Sequence, residues 1–431
     1  MKKIKQKALN EIIKKHEQFC AGRMGGARAV LQFHDLSGLD LSNKDLSQAD
    51  LTGALMIETN LAGTKFDSAV MFACDLRYAN LRGASFFKAD LRGARLDCAD
   101  LTGANLTKAD LRVGQVYQHN MKETFIVNGR KLESSETGYA NFSGANLTGA
   151  QLSGSVAMNA NFTDAVLKEA SITDADLRNA LFLGANLESI NLSGADLRGA
   201  NLEKAIMINS VMEFVETSGA NFSNITKEHD EKAKQLYTDT ELEDKIKQHD
   251  LWVQTAGAQG AMLMLDGFDL RFVDNVKGKL LTAARMLNCK FLQKDLQGAE
   301  FQNATLIGAD FRYCNLDNAD FRGANIAGAN FSRATLRNAN FDALLIQKQG
   351  AEPKAVPAQA TGTNFRYADL HGASMKGSVL TEADFKGADV TGVNFSYSNL
   401  SSSDFDMARL QGAVFDEAIT VGSTLAVAIE G

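Results

Sequence analysis

The stretch "ADLTGANLTKADL", residues 99–111, repeats alanine, an acidic or amide residue and leucine every five residues. In an extended strand successive side chains face opposite ways, so the alanine and leucine of each unit share one face. The residues between units, such as Thr102 and Gly103, are of the kind found at corners. Each unit therefore predicts a three-residue strand followed by a bend, and a chain that bends after every strand forms a coil.

Phenylalanine indicates how many sides the coil has. Between residues 291 and 341 the central apolar position is phenylalanine in every second unit, which is once every ten residues. A coil of ten residues would have two sides and no room for a core, so twenty residues with four sides is the simplest solution. Two opposite sides are then expected to carry stacked, buried rings. The same register joins Phe142, Phe162, Phe182 and Phe222, and also Phe365, Phe385 and Phe405.

Tandem units such as Ala79-Asn80-Leu81-Arg82-Gly83 resemble those of pentapeptide-repeat proteins, over roughly two-thirds of the chain. The resemblance implies an all-β solenoid, a right-handed quadrilateral β-helix of pentapeptide repeats. Here it is expected in two tandem halves with short helical caps and a linker. The repeat is a scaffold, so the resemblance specifies the fold and says little about function.

The register of the units divides the chain into four parts. They are an N-terminal helical cap at 1–33, a first β-helix at 34–222 with a hairpin-like insertion at about 117–138, a helical linker and second cap at 223–266, and a second β-helix at 267–431 with a loop at about 342–362. The order of His249, Trp252 and two glycines echoes that of His16, Phe19 and two glycines. Each half therefore opens with a similar cap, in which we expect the histidine to have a structural role.

The distribution of apolar and basic residues indicates whether the protein spans a membrane or is secreted. There is no run of about 18 apolar residues, and the basic start is not followed by the apolar core of a secretory signal. We therefore expect a cytoplasmic protein that binds no membrane. A lysine-rich helix at the N-terminus could bind an anionic membrane or nucleic acid, but we interpret it as a solvated cap that covers the first coil.

The sequence contains none of the common catalytic, nucleotide-binding or metal-binding motifs considered next. There is no P-loop, dinucleotide fingerprint, Gly-x-Ser-x-Gly elbow, His-Glu-x-x-His or Cys-x-x-Cys pair. Cys74, Cys289 and Cys314 stand where the repeat otherwise places a buried alanine. We expect no enzyme activity, no cofactor and no metal site. With a net charge of −7, we also expect no direct binding of nucleic acid.

Two features are candidate sites for a protein partner. In the first insertion, a Phe-Ile-Val run before Asn-Gly is a strong signal for a projecting β-hairpin. Elsewhere, outward positions become apolar, and contiguous exposed apolar groups often mark a contact. The candidate residues are Phe125, Ile126, Asn128, Gly129 and Arg130 in the hairpin, and Leu55, Ile57, Val70, Phe72 and Phe87 on the coil. Alternatively, the hairpin is decoration or covers the coil residues itself.

A second apolar group precedes the linker. It consists of Ile206, Ile208, Val211 and Phe214. We interpret this group as covered by the linker helices, so it is not counted among the candidate partner-binding residues.

The sequence supports a non-catalytic, protein-binding scaffold as the first hypothesis. The resemblance suggests a second, because some pentapeptide-repeat proteins imitate B-DNA, bind type II topoisomerases such as gyrase, and protect them from quinolones or toxins. Duplex DNA carries one negative charge per about 1.7 Å. The acidic residues of this chain are patchy, and its net charge is only −7. Topoisomerase binding is therefore the second hypothesis.

Overall fold

A computed structural model describes residues 1–113, 125–127, 130–132, 139–228, 239–271, 280–346 and 352–425. The chain divides into two compact units, Met1–Glu231 and Lys232–Gly431. Each unit has its own hydrophobic core, and the two are described separately.

The five-residue sides stack on one another with a period of twenty residues. In the first unit, Asp50 forms parallel bridges with Val30 on one side and Val70 on the other. In the second unit, Glu300 bridges Leu280 and Asp320 in the same way. Four sides of five residues thus make one coil, and the predicted β-helical solenoid with short helical parts is confirmed.

Most described corners of the coil are β-turns with a left-handed residue. After Leu51, the amide of Ala54 donates to the Leu51 carbonyl at 2.9 Å, and Gly53 between them has a φ of 63°. These features define a type II turn, where glycine is favoured because it lacks a Cβ atom. Lys88 adopts a φ of 55° at the equivalent position. The backbone bonds between coils therefore hold the turn even where the residue itself does not favour it.

The core is filled by the central leucines and phenylalanines, with alanines at the corners. Phe311 stacks on Phe291 at 4.5 Å and on Phe331 at 4.7 Å between ring centroids. It also meets Phe301, from the opposite side of the coil, edge to face at 5.9 Å. Both geometries are favourable for aromatic pairs. The two predicted ladders of buried rings are therefore confirmed, and they contact each other across the core.

Both insertions leave the stack of coils uninterrupted. Arg95 bridges Asn141, forty-six residues away instead of twenty, so the coil after the first insertion lies directly on the coil before it. In the second unit, Phe331 stacks on Phe365 at 5.2 Å across the second insertion. Backbone pairing and core packing thus continue as though the inserted residues were absent.

The first unit begins with a strand that the sequence did not indicate. β1 (Lys2–Lys3) pairs in parallel with β2 (His34–Asp35), and α1 (Gln6–Cys20) lies between them in the chain. The first insertion contains β3 (Phe125–Val127) and β4 (Arg130–Leu132). Bridges between coils start at Val30, before the expected boundary at residue 34. Val30 points outward and Leu31 inward, as in a repeat unit, but Val30 replaces the acidic or amide residue that marks the other units.

The second unit contains α2 (Asp239–Gln254), β5 (Leu344–Ile346) and β6 (Lys354–Val356). β5 and β6 pair antiparallel, so the segment expected to be a loop at about 342–362 contains a two-stranded sheet. Its prolines and glycine suggested a loop, but the branched apolar residues on either side favour strands. None of the helices in the described ranges is long and apolar enough to cross a membrane.

A buried histidine joins each cap helix to the first coil of its unit. His16 Nδ1 accepts a hydrogen bond from the Ala29 amide at 2.9 Å, and its ring stacks on Phe19 at 5.8 Å. His249 Nδ1 accepts from the Leu263 amide at 3.0 Å and stacks on Trp252 at 5.8 Å. Both histidines therefore have the structural role that the repeated cap sequence indicates.

A core substitution should cost far more stability than a surface one. Phe162 lies between Phe142 and Phe182, with ring centroids 4.9 and 5.0 Å away. We expect Phe162→Ala to lower the free energy of unfolding by about 3–5 kcal/mol. Phe214→Ala is the control, because that side chain is 90% exposed; it should change stability by less than about 0.5 kcal/mol. Urea unfolding followed by circular dichroism measures both, and equal losses would contradict the predicted packing.

Acidification should destabilise the caps. Burial lowers the pKa of both His16 and His249, and each Nδ1 must be unprotonated to accept its hydrogen bond. Below the unfolded-state pKa of about 6.5, the unfolded chain takes up a proton that the folded chain resists. The free energy of unfolding should therefore fall as pH decreases below this value.

The histidine contribution is isolated by comparing the wild type with the His16→Gln/His249→Gln variant in urea unfolding at several pH values. We expect the stability of the wild type to fall more steeply between pH values of about 7 and 5.5 than that of the variant. Parallel pH profiles for the two proteins would show that these histidines do not titrate with unfolding.

Candidate protein-interaction site

The first insertion contains a short β-ladder. β3 and β4 are antiparallel, with Phe125 opposite Leu132, Ile126 opposite Lys131 and Val127 opposite Arg130. The candidate residues Phe125, Ile126 and Arg130 thus belong to one two-stranded sheet. Asn128 and Gly129, also candidate residues, lie outside the described residues.

The insertion starts and ends at the coil positions that Phe72 and Leu55 occupy in earlier coils. Residues at the same position of successive coils stack in a column. Before the insertion, Arg112 stands in the column of Phe72 and Arg92, because the amides of Ala73 and Gly93 donate to the carbonyls of Arg92 and Arg112 at 2.9 and 3.2 Å. Stacked strands are about 4.8 Å apart, so Phe72 lies two coils, or about 10 Å, from this starting point.

The residue that follows the insertion stands in a second column. Asn141 bridges Arg95, Arg95 bridges Asp75, and Asp75 bridges Leu55. The Asn141 Nδ2 group also donates to Asp97 Oδ1 at 2.6 Å, which fixes the returning chain to the coil. Asp97 is only 3% exposed, and burial raises the pKa of its carboxyl. The two columns therefore flank the corner at which the chain leaves the coil and later rejoins it.

The apolar coil residues are half-buried. We call them the coil patch: Leu55, Ile57, Val70, Phe72 and Phe87. The Arg92 guanidinium carbon lies 5.5 Å from the Phe72 ring centroid, and Lys88 Nζ lies 5.1 Å from that of Phe87. Arg92, one coil away, therefore shields Phe72, and Lys88, the next residue in the chain, shields Phe87. The coil patch thus presents partial apolar surface along three consecutive corners.

Arginine–aspartate pairs surround the coil patch. Asp90 and Asp110 each accept two side-chain hydrogen bonds, at 2.7–2.9 Å, from the arginine two residues later, Arg92 and Arg112. Partial burial opposes ionisation of Asp110, but the hydrogen bonds and charges of Arg112 and Arg92 hold the pKa of its carboxyl below its usual range. Our sequence reading missed these pairs. Their signal is the Asp-Leu-Arg triplet, whose outer residues share a face.

The apolar group before the linker is buried only in part. Ile206 is fully buried and Ile208 is half-buried, but Val211 and Phe214 are exposed. Phe214 has a φ of 55° and lies near the last bridges that the described residues of the first unit form, between Ile206 and Thr226.

Potential nucleophiles and metal ligands are poorly placed. Within the described ranges, no group of three or more histidine, cysteine, aspartate or glutamate side chains could hold a metal ion. Cys74, Cys289 and Cys314 are buried, and burial raises the pKa of Cys289 to about 12 and those of the other two thiols as well. A thiol that resists ionisation is a poor nucleophile.

Two family models match the chain, and both are described as pentapeptide repeats. One matches residues 34–71, 74–112, 140–179, 170–209, 185–224 and 361–396, and the other matches residues 282–335. Together these ranges cover more than half of the 431 residues. None of the curated proteins matches the chain significantly.

Several solved structures are similar to the chain. Rfr23, a pentapeptide repeat protein from the cyanobacterium Cyanothece 51142, is 27% identical over 31% of this chain and 91% of its own, with a TM-score of 0.21. HetL, involved in heterocyst differentiation regulation in Nostoc sp. strain PCC 7120, is 19% identical over 94% of this chain and 93% of its own, with a TM-score of 0.18. QnrB1, a plasmid-mediated fluoroquinolone resistance protein, is 25% identical over 38% of this chain and 84% of its own, with a TM-score of 0.23.

Proposed function

The chain belongs to the pentapeptide-repeat family, and on this basis we propose that it is a non-catalytic scaffold whose first β-helix presents a hairpin and the coil patch to a protein partner. The hairpin is the sheet of β3 and β4. The coil patch supplies the apolar contact beside its base.

The observation that carries this proposal is the unbroken stack across the first insertion. Arg95, Asp100 and Asn105 bridge Asn141, Asn146 and Gln151 directly. The insertion therefore does not contribute to the pairing of the coils that flank it. A segment that the fold does not need, held at a fixed corner of a rigid support, is suited to binding.

The surroundings of the coil patch fit a protein interface. Phe72 and Phe87 are partly accessible aromatic groups, Arg92 lies beside Phe72, and Arg112 follows Arg92 one coil further along. Aromatic residues and arginine are enriched in protein interfaces, whereas a polar rim excludes water from the apolar centre. The arginines are already oriented by Asp90 and Asp110, which lowers the entropy lost on binding.

Topoisomerase binding by duplex mimicry is the second candidate. Acidic residues do stack in columns, as in the bridge between Asp384 and Asp404. However, Arg337 pairs with Asp369 at 2.7 Å and Arg366 with Asp384 at 3.6 Å. Burial also raises the pKa of Asp384. Paired carboxylates imitate the evenly charged backbone of DNA poorly, so this candidate stands second.

The test replaces residues 122–133 by a short Gly-Ser linker in the full chain. As a matched control, residues 345–355 of the second insertion are replaced by the same linker. Proteins captured from the source organism by wild type and both variants are quantified, and the leading partner is purified for calorimetric titration. We expect the first replacement to weaken binding at least tenfold and the control to leave it unchanged.

A second variant tests the coil patch without altering the hairpin. We expect Phe72→Ser/Phe87→Ser to weaken the same complex by about tenfold, since interface aromatics often contribute more than 1 kcal/mol. Circular dichroism should be the same for all variants. Equal binding by wild type and the hairpin variant would contradict the proposal. A purified topoisomerase that binds tightly, and that DNA and salt displace, would favour the second candidate.

A further inference from the structure

The N-terminal cap has a charge opposite to that of the rest of the chain. Residues 1–28 hold eight basic residues and two glutamates, a net charge of +6, so the remaining residues carry −13 of the total of −7. The eight basic side chains are all exposed: Lys2, Lys3, Lys5, Lys7, Lys14, Lys15, Arg23 and Arg28. We call residues 1–28 the basic cap. Such a separation of charge points to an anionic partner.

Arg28 Nε donates to the Gln48 carbonyl at 2.5 Å, but folding does not explain the lysines. The α1 helix packs on the first coil through Leu9, Ile13 and His16, whereas Lys7 and Lys14 lie on the opposite face. Lys5 occupies the N-cap position without a side-chain hydrogen bond, and the first turn contains no acidic residue. Lysines near a helix N-terminus oppose the helix dipole, so they destabilise the helix that carries them.

The second cap shows that capping needs no positive charge. α2 and its buried His249 hold the first coil of the second unit as α1 and His16 hold that of the first. Yet residues 239–262 contain five acidic residues and two lysines, a net charge of −3. The turn after α2, residues 255–262, contains no charged residue, whereas the turn after α1 contains two arginines. The positive charge is therefore specific to the basic cap.

An apolar side chain projects from the basic cap. Met24 is completely exposed, in a turn between Gly22 and Gly25, which have φ values of 64° and 82°. The turn is held against α1, because the Arg23 amide donates to the Gln18 carbonyl at 2.8 Å. Phe19, at the end of α1, is 37% exposed. Met24 is thus fixed beside arginine, on a surface rich in lysine.

From this arrangement we propose that the basic cap docks the first unit on a lipid bilayer that contains anionic phospholipids. Lysine and arginine contact the headgroup phosphates, and Met24 enters the boundary between headgroups and acyl chains. Duplex DNA would also attract the basic residues, but it offers no apolar environment for Met24. This proposal replaces the expectation from the sequence that no membrane is bound, and it does not depend on the proposed protein partner.

The test measures flotation of the full chain with vesicles of phosphatidylcholine alone, or with about one-third phosphatidylglycerol. Each basic residue near an anionic surface strengthens partitioning by about fivefold. We therefore expect Lys7→Gln/Lys14→Gln/Lys15→Gln to weaken binding to the anionic vesicles by about a hundredfold. Binding of the wild type should fall as salt increases and should be absent with phosphatidylcholine alone.

Matched variants separate charge from apolar insertion. Met24→Ser should weaken vesicle binding severalfold, whereas Met262→Ser, in the corresponding turn after α2, should not. Lys245→Gln/Lys247→Gln removes two lysines from the second cap and should also have no effect. All of these side chains are exposed or partly exposed, and circular dichroism checks that the variants fold.

Three results would overturn the proposal. One is a wild-type protein that does not float with anionic vesicles, and another is equal flotation by the triple lysine variant. The third is tighter binding to duplex DNA than to anionic vesicles at the same salt concentration, which would assign the basic cap to nucleic acid. In each case the proposed protein-binding hairpin would be unaffected, because its test uses other residues.

Discussion

The structure depends on the pairing of each five-residue side with the side twenty residues later. This pairing joins backbone groups in parallel and places like side chains on top of one another, so alanine meets alanine and phenylalanine meets phenylalanine. The stacked rings at 4.5–5.2 Å are the clearest result. Because each coil contacts only its neighbours, stability is local, and the ends need separate covers. The α1 and α2 helices are the covers at the start of each unit.

The same constraint explains where function can be placed. Inward positions are fixed by packing, and outward positions next to a coil neighbour are largely shielded, as the half-buried coil patch shows. Variation is therefore tolerated at corners and at the ends. The insertion that contains β3 and β4 leaves the coil at a corner, and the basic cap covers an end. Both proposals concern these places because the rest of each β-helix is occupied by its own stacking.

The periodicity predicted the coil, its four sides, the phenylalanine ladders and the paired caps, because each depends on residues that recur at fixed spacing. It did not predict β1, whose two lysines have no strand pattern and pair only because His34 and Asp35 offer a free edge. The β5–β6 sheet was missed because Pro353 and Gly350 outweighed a short apolar run. For the candidate site, the sequence predicted the outward apolar residues but not that neighbouring side chains partly cover them. Shielding of Phe72 depends on Arg92, twenty residues away.

The central claim is that the coils on either side of the first insertion form one continuous stack. Hydrogen exchange of individual amides in the full chain tests it most directly. Leu96, Leu101 and Leu106 donate across the insertion at 2.6–2.7 Å, and Leu81 donates within uninterrupted coils at 2.7 Å. The account predicts equal protection of these four amides from exchange. Faster exchange at the three that donate across the insertion would show that the stack ends there and would contradict the account.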